Sequence, residues 1–409
     1  MNLNFQASVL CHLATAFLFG CFLFFVGLPC QFVAAQLVQD PLVQDPLVQD
    51  PLVQDPLVQD SPVKNQFVHP GVAHSRQGIA FVKAKIDAKE EPWLRNWQRL
   101  KKSEHAELDW KPMPYARVER GPYNHPNIGS SEFSEDGLAA YVHALCWNIS
   151  GKEAHARKAA EILDAWSGKL EAIGNHDAAL LVGMSGFHYC IAAELVKHTW
   201  NGWPEPNQAR FAKMAREVWY PIIKDFYSSA NGNWDASMIQ TMMAMGVFLE
   251  DQAMFDRAKN YYLTGKGNGA IGMYFKPSGQ CQESGRDQSH TQMGLEFLAN
   301  SCETGWIQGV DLYGALDNRL LKGFEYTAKY NLGNEVPYER YVSFEGRYKY
   351  NKISEKARGR FRPMYQRVYN HYHNRKKVDA PFTKQAVEKE QSRRRKRTET
   401  YIDLLMYSN

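Results

Sequence analysis

Residues 277–295 read PSGQCQESGRDQSHTQMGL, and this stretch indicates both the fold and the candidate site. The opening Pro-Ser-Gly predicts a turn, and the pattern after it predicts a helix over residues 281–306. Residues three or four apart share one side of a helix, which places an acid, a guanidinium and an imidazole in one stripe made of Glu283, Arg286, Asp287 and His290. Apolar neighbours such as Met293 and Leu295 predict that this helix packs into a core. A polar stripe sheltered in this way needs partners or a substrate.

Helical periodicity continues on both sides of this stretch, and the alternation typical of strands is scarce before Val336. Short Gly- or Asn-rich links without a repeat of fixed length favour an all-α fold, in which helical hairpins form an (α/α) toroid or incomplete barrel. A short irregular segment rich in Tyr and Arg follows Val336 and is typical of an interface or cleft lining. Further helices are predicted from a Ser134-Glu135-Asp136 cap onward and at residues 178–199, 208–227, 234–249, 252–263 and 311–330.

The first 63 residues differ in composition from the rest of the chain. A long apolar run followed by small residues before Gln36 predicts an export signal, although the run is also long enough for a retained membrane anchor. Five copies of a Leu-Val-Gln-Asp-Pro repeat, the last of which ends in Ser61 in place of Pro, then predict a flexible, extended spacer. We expect a secreted or periplasmic protein that contacts a membrane only if the anchor is retained. The predicted regions are a signal peptide (1–35), a spacer (36–63), a toroid domain (64–385) and a basic C-terminal tail (386–409).

Charge and cysteine content exclude several classes of function. The formal net charge is only +4, and the basic run RRRKR at residues 393–397 is more typical of a solvated terminal segment than of a polyanion-binding patch, so no nucleic-acid partner is predicted. Cys-x-x-Cys spacing is absent, which excludes a zinc ribbon or a thioredoxin-type site. One disulfide or buried free thiols are both compatible with the four cysteines after the signal, which are Cys146, Cys190, Cys281 and Cys302.

Three parts of the chain carry candidate chemistry. The first is the stripe at residues 283–290, which taken alone also fits intrahelical ion pairs. The second is NGNWD at residues 231–235, where Asn233 is either a helix cap or a polar group of a site. The third is the Tyr- and His-rich segment 338–373, whose tyrosines also fit a core or a rim. We predict neither a metal nor a cofactor, because Asp287-x-x-His290 has no second acid–histidine pair near it in the sequence.

A site that combines Arg, Asn, His and Tyr favours proton abstraction next to a carboxylate. The Arg and Asn would neutralise the substrate carboxylate and so acidify its α proton, while a His or Tyr takes that proton and a Tyr returns one to the leaving oxygen. Glycoside hydrolysis would instead require two carboxylates at a defined separation. The predicted reaction is therefore β-elimination in a uronic-acid polymer.

Several blocks of the sequence resemble the alginate lyase superfamily of helical-toroid polysaccharide lyases. They include GLAAYVHALCWNISGKEAHARKAAEILDAWSG at 137–168, NGNWDASMIQTMMAMGVFLED at 231–251 and GNGAIGMYFKPSGQCQESGRDQSHTQMGL at 267–295. The similarity extends from about residue 69 to about residue 383 and is nearest to polysaccharide lyase family 38, whose members act on alginate or glucuronan. The resemblance implies an (α/α) barrel, an acidic polysaccharide substrate and metal-independent β-elimination.

The resemblance also implies roles for individual residues. Lyases of this superfamily present an Asn-His pair on one helix, and an Arg followed about two turns later by a Tyr on another. Asn233 matches the Asn, with Trp234 in place of the His, and Arg286 matches the Arg. No Tyr follows Arg286 within the helix, so His290 is expected to be the base or its partner. The remaining candidates are Tyr341 and then Tyr372 for proton transfer, and Trp234, Glu283, Gln292, Tyr338, Arg362 and His371 for substrate binding.

Two other functions stay open at this point. One is a glycoside hydrolase on a helical toroid that uses paired carboxylates such as Glu283 and Asp287. The other is a glycan-binding protein that keeps the fold without the chemistry, which the missing Asn-His pair allows. In the lyase interpretation, Glu283 and Asp287 orient the Arg and the His and are not catalytic acids.

Overall fold

The computed structural model describes residues 66–393 and 397–406. The predicted signal peptide and repeat spacer lie outside these residues, as do residues 394–396 of the basic run. The helices are α1 (Arg76–Asp87), α2 (Trp93–Leu100), α3 (Ser130–Ser150), α4 (Glu153–Ser167), α5 (Ala178–Thr199), α6 (Glu205–Met214), α7 (Tyr220–Ile223), α8 (Asn233–Phe248), α9 (Gln252–Thr264), α10 (Ile271–Tyr274), α11 (Gln288–Ile307), α12 (Ala315–Asn331), α13 (Tyr365–Tyr369), α14 (Pro381–Ser392) and α15 (Thr398–Leu405). The strands are β1 (Arg117–Arg120), β2 (Asn127–Ile128), β3 (Ala172–Gly174), β4 (Tyr341–Val342) and β5 (Lys349–Tyr350).

The helices form two layers, as expected for an (α/α) toroid. Helices α3, α5, α8 and α11 pack side by side in that order and form the inner layer. Outer helices lead the chain back between them, so that α4 packs on α3, α9 on α8 and α12 on α11. The ring continues through α13, and α15 contacts both α13 and α2 near the start of the domain. The predicted all-α toroid is therefore confirmed.

The inner helices are buried on almost all sides. Helix α5 is apolar and long enough to cross a membrane, but 83% of its most apolar window is buried within the domain, as in the core helix of a globular protein. It approaches α8 closely at Gly183, where a Cβ atom would lie 2.3 Å from Oγ of Ser237. The side chains of Gln240 and Thr241 donate hydrogen bonds to the Gly183 carbonyl at 2.8 and 2.7 Å. This contact fixes the start of α8 relative to α5.

An aromatic cluster joins the inner and outer layers. The rings of Phe133, Trp166, Tyr189 and Trp219 pack against one another with centroids 4.9 to 5.9 Å apart in the pairs that involve Phe133. Beside them, the buried Asp136 carboxylate accepts a hydrogen bond from the Trp166 indole at 2.7 Å. The burial of these large rings contributes several kcal/mol in total, at roughly 2–3 kcal/mol for each side chain.

The alternation of inner and outer helices makes the inner helices run in the same direction. Their N-termini therefore lie at one end of the ring, where Trp234 at the start of α8 contacts His176 just before α5. A sheet in the order β2-β1-β3 connects to the same end, because β2 leads into α3 and β3 leads into α5. The antiparallel pair β4–β5 forms a second, separate sheet. The N-terminal end of the ring is thus the place where polar side chains from distant parts of the sequence meet.

Three predictions about elements need correction. The helix expected over 281–306 begins only at Gln288, and residues 282–286 form turns. Ser134 is not a cap, because α3 already begins at Ser130 and the Ser134 hydroxyl bonds to the Ser130 carbonyl. The segment expected to be a basic tail from residue 386 contains the end of α14 and the whole of α15, whose Leu404 and Leu405 are buried. The ordered domain therefore includes these helices.

Candidate active site

The stripe of titratable residues lies where a turn passes into α11. Asp287 is the N-cap of that helix, with extended backbone angles, and its carboxylate Oδ1 accepts the backbone N–H of His290 at 2.8 Å. Aspartate is among the preferred residues at this position because it satisfies a free N–H of the first turn and interacts favourably with the helix dipole. The three-residue spacing of Asp287 and His290, which predicted a stripe within a helix, therefore belongs to the cap and first turn of α11.

Asp287 and His290 form a hydrogen-bonded pair. The imidazole Nδ1 lies 2.6 Å from the second carboxylate oxygen of Asp287, so that Nδ1–H donates to that oxygen. Burial alone would raise the pKa of Asp287, but the hydrogen bonds from the ring and backbone of His290 and the charge of Arg286 lower it to about 2. The His290 side chain is 34% exposed, so the ring is accessible to a ligand.

Glu283 holds Arg286 in place through a buried ion pair. Its side chain is completely buried, and Oε1 accepts a hydrogen bond from Nη1 of Arg286 at 2.6 Å, while Oε2 accepts from the Tyr274 hydroxyl at 2.9 Å and the Asn233 backbone N–H at 3.0 Å. Burial raises the pKa of Glu283, partly offset by the neighbouring guanidinium. Burial alone would lower the pKa of Arg286, but Glu283 raises it, so the guanidinium stays charged. Glu283 is thus a positioning group with no free face for a substrate.

Polar side chains from the start of α8 and from the turn before α11 meet at the candidate site. Gln282 accepts the Gly232 N–H at 2.8 Å and donates to the Asn231 side chain at 3.1 Å, which ties α8 to the turn before α11. The amide nitrogen of Asn233 contacts the sulfur of Met293 at 3.5 Å. Within the described residues its amide oxygen is buried without a hydrogen-bond donor. Asn233 is the first residue of α8 and makes no side-chain cap, so the alternative of a simple cap is wrong.

A tyrosine from the late aromatic segment completes this group. The hydroxyl of Tyr350 on β5 lies 3.4 Å from Oδ1 of Asn231. The β4–β5 segment is pressed against Gly285, where a Cβ atom would meet Cβ of Tyr350 at 2.3 Å and the Tyr338 hydroxyl at 2.6 Å. Burial raises the pKa of Tyr350, the charge of Glu283 adds to this effect, and Arg286 opposes it. Tyr350 is half-buried, and its hydroxyl lies among the charged groups of the site.

Aromatic side chains form one rim of the site. Trp234, half-buried and next to Asn233, packs edge-on against His176 with ring centroids 5.5 Å apart and lies 5.7 Å from Tyr227. Both neighbours are exposed. An exposed aromatic surface beside a polar site is suited to stacking against the apolar face of a sugar ring.

A cavity of about 310 Å³ lies further inside the ring. Met293, which contacts Asn233, is part of its lining, so the cavity begins beneath the start of α8. Titratable residues from α3, α5, α11, α13 and α15 and from the segments that precede α13 and α15 line it, and they are Glu135, His188, Glu296, Arg362, Arg367, Arg397, Glu399 and Asp403.

The family model described as alginate lyase matches residues 82–337, more than half of the chain. The chain belongs to the alginate lyase family. It is accordingly a polysaccharide lyase. Among curated proteins, none matches the sequence.

Solved alginate lyases share the fold at low sequence identity. An alginate lyase from Bacteroides ovatus is 14% identical with a TM-score of 0.57, covering 84% of this chain and all of that structure. Alginate lyase A1-III from Sphingomonas species A1 is 14% identical with a TM-score of 0.60, covering 86% of this chain and all of that one. A substituted form of A1-III complexed with a tetrasaccharide is 15% identical with a TM-score of 0.50, covering 64% of this chain and 78% of that one.

Two of the tyrosines predicted for proton transfer in this polysaccharide lyase have hydroxyl groups that are bonded to backbone carbonyls. Tyr341 is buried, and its hydroxyl donates to the Met273 carbonyl at 2.7 Å. Tyr372 is fully buried, and its hydroxyl donates to the Tyr313 carbonyl at 2.8 Å, beyond the other end of α11. Neither hydroxyl is free for proton transfer, so the structure favours Tyr350 in their place.

The predicted substrate contacts fall into two groups. Trp234 and Tyr338 lie at the site, although the Tyr338 hydroxyl is bonded to the Tyr350 carbonyl at 3.1 Å. Gln292 is fully buried and bonds to the backbone of Arg360 and Arg362, which makes it a structural residue. The other three residues do not face the substrate side of the site. Glu283 is buried behind Arg286, and Arg362 pairs with Glu296 at 2.8 Å in the central cavity. His371 is buried against Trp306 and Tyr313 at the opposite end of the ring.

Sequence reasoning missed the roles of Tyr274, Asn231, Tyr350 and His176. His176 precedes α5 as Trp234 begins α8, so a comparison of what surrounds each inner-helix start would have found it. Tyr274 and Tyr350 carry no such signal, because 21 tyrosines occur in the chain and their burial depends on tertiary packing. Among the described residues, Asp287 and His290 have no third metal-ligating side chain near enough to complete a metal site.

Proposed function

We propose that this polysaccharide lyase cleaves an acidic, uronate-containing polymer such as alginate or glucuronan by β-elimination. The observation that carries the proposal is the Asp287–His290 pair at the start of α11, with the charged Arg286 beside it. An imidazole with one nitrogen fixed by a carboxylate and the other free is equipped to accept a proton. A guanidinium next to it supplies the charge that a substrate carboxylate requires.

Neutralisation of the substrate carboxylate is the first part of the proposed mechanism. The C5 proton of a uronate is weakly acidic, because its removal places negative charge on the adjacent carboxylate. Arg286 and the amide of Asn233 would bind that carboxylate, and the N-termini of α8 and α11 add positive potential at the same place. Stabilisation of developing charge by fixed groups of this kind is commonly the largest contribution to catalysis.

Proton transfer is the second part. His290 Nε2 takes the C5 proton, the C5–H electron pair forms the C4–C5 double bond, and the C4–O bond breaks with its electron pair on the leaving oxygen. Tyr350 donates a proton to that oxygen, and the products are an unsaturated uronate end and a new polymer end. Asp287 stabilises the imidazolium formed in the first step. Trp234 and His176 would stack against neighbouring sugars.

The proposal is tested by incubating the purified protein with alginate, glucuronan and related polymers. A lyase produces the ultraviolet absorbance of an unsaturated uronate. His290→Ala and Arg286→Ala are expected to abolish this signal while remaining folded by circular dichroism, and His155→Ala on α4 serves as a matched histidine control with full activity. Full activity in both site variants would contradict the assignment, and folded wild-type protein without any signal across the panel would contradict the reaction.

The hydrolase alternative has less support from the geometry. Glu283 is fully buried and already makes three hydrogen bonds, and Asp287 is occupied as the cap of α11 and partner of His290. Both carboxylates of the stripe are therefore buried. Release of reducing ends without ultraviolet absorbance would nevertheless favour a hydrolase, and binding without any product would favour a glycan-binding protein.

We further propose that the protein is exported, since an apolar N-terminal run and a small-residue cleavage pattern precede the repeats. A large polymer substrate outside the cytoplasm fits this location. Mass spectrometry of the protein purified from its native host gives the mature N-terminus. Cleavage before Gln36 supports a signal peptide, and an intact N-terminus in the membrane fraction supports an anchor.

A further inference from the structure

A second polar cluster lies at the end of the ring opposite to the candidate active site. Glu194, near the C-terminal end of α5, is completely buried, and His198 lies one turn further on. The segment that precedes α1 crosses this place, and Nδ1 of His69 lies 2.6 Å from Oε1 of Glu194. The same oxygen accepts the Gly71 N–H at 3.0 Å. The cluster therefore joins the first described residues to the core helix.

Three atoms of this cluster are buried without a hydrogen-bond partner among the described residues. They are Oε2 of Glu194 and the Nε2 atoms of His69 and His198. Nε2 of His198 lies 3.5 Å from Oε2 of Glu194, but the two atoms do not form a hydrogen bond. A buried carboxylate oxygen without a hydrogen bond is costly, and two imidazoles that leave nitrogens unused beside it are an uncommon coincidence.

We propose that His69, Glu194 and His198 bind a divalent transition-metal ion, with zinc the best match. Two imidazole nitrogens and one carboxylate oxygen are a common ligand set for zinc, with water in the fourth position. One ligand atom from each side chain lies within 4.8 Å of the other two. A cavity of about 470 Å³ borders His69.

Binding requires a small rearrangement of the two histidines. Their rings are stacked with centroids 4.1 Å apart and planes 9° from parallel, whereas a bound ion lies close to the plane of each imidazole. One ring must therefore turn about its Cβ–Cγ bond. Tetrahedral bonds of about 2.0–2.1 Å place ligand atoms about 3.3 Å apart, so the three atoms need to approach by at most about 1.5 Å. His198, with 19% of its side chain exposed, has room for this rotation.

The bound ion would have a structural role. It would fasten residue 69, just after the predicted spacer, to α5 of the core. The 22 residues of α5 separate this cluster from the active-site end by about 30 Å at 1.5 Å per residue. Loss of the ion is therefore expected to lower thermal stability and to leave the turnover of folded protein unchanged.

The experiment uses the full chain without a histidine tag, treated with a chelator and dialysed. Zinc titration by calorimetry is expected to give one ion per chain, and saturating zinc to raise the Tm by a few degrees. Glu194→Gln and His198→Ala are each expected to weaken binding at least 100-fold. His155→Ala is the matched control, because His155 contacts His143 at 2.8 Å in a histidine pair without a carboxylate, and it should bind zinc as the wild type does.

Cobalt(II) provides a measurement on the unaltered chain, independent of whether the variants fold. Tetrahedral coordination by nitrogen and oxygen gives visible absorption without the thiolate charge-transfer band that the buried cysteines would produce. Absence of binding in the wild type, a thiolate band, or equal loss of affinity in His155→Ala would overturn the proposal. Because polymer cleavage is measured separately, failure here is distinguishable from failure of the lyase mechanism.

Discussion

Replacement of Asp287 by Asn separates two roles that the carboxylate has in the structure. Oδ1 caps α11 by accepting the His290 N–H at 2.8 Å, and Oδ2 accepts the imidazole Nδ1–H at 2.6 Å. Asn is as good a helix cap as Asp, so Asp287→Asn keeps the first role. It removes the negative charge that fixes the imidazole tautomer and stabilises the imidazolium.

The expected magnitudes follow from these contacts. The pKa of Asp287 falls from 3.8 to about 2 on folding, which corresponds to about 2 kcal/mol of stability. That stability is present above pH 4 and is lost as the pH falls through 2, so the variant should lose about 2 kcal/mol at pH 7 and little near pH 2. Loss of proton-transfer efficiency should lower kcat roughly 10²- to 10⁴-fold, or about 3–5 kcal/mol of transition-state stabilisation.

Asp251→Asn is a matched control for the stability term. Asp251 caps α9 by accepting the Met254 N–H at 3.0 Å and pairs with Arg216 at 2.7 Å, which repeats the capped and charge-paired arrangement away from the site. Both variants are compared by urea unfolding and by initial rates of unsaturated-uronate formation. Both should lose stability, and only Asp287→Asn should lose activity. Wild-type kcat in folded Asp287→Asn would refute the assigned role of the pair.

Three further outcomes are expected. Tyr350→Phe should lower kcat about 100-fold, while Tyr341→Phe, whose hydroxyl bonds a backbone carbonyl, should change activity by less than about twofold; the reverse order in rate assays would restore Tyr341 as the acid. Trp234→Ala should raise KM for polymer roughly 5- to 10-fold with little change in kcat, and an unchanged KM would exclude sugar stacking. Burial raises the pKa of Asp235 to about 6 despite the hydrogen bond from Tyr261. The free energy of unfolding therefore falls as the pH rises from about 4 to about 6. Asp235→Asn should then gain about 3 kcal/mol at pH 8 and almost nothing at pH 4, whereas equal gains in denaturant unfolding at both pH values would contradict this.

The helices with clear terminal signals were predictable from the sequence. Helix α5 has the bounds expected from its apolar periodicity, and α9 begins at the predicted Gln252. The start of α11 was misplaced because i and i+3 residues are also neighbours in turns. Gly285 and the cap preference of Asp287 were the signals for a later start, and both lie inside the stretch itself.

Only the site residues that lie close together in the sequence were predictable. Glu283, Arg286, Asp287 and His290 are close in sequence, and their pairing follows from spacing in a helix or in a turn. The choice among tyrosines depends on which hydroxyl is already bonded to a backbone carbonyl, and that is decided by packing between residues far apart in the chain. Tyr350, for example, approaches Asn231 across 119 positions.

Contact between α15 and α2 determines when the ring can form during synthesis. The two helices are about 300 residues apart, so the central cavity stays open until nearly all of the domain has left the ribosome, and closure of so long a loop is slow. Arg397, Glu399 and Asp403 line the cavity. A chain cut before Thr398 would keep the residues of the candidate active site and lose Glu399 and Asp403 from the cavity wall.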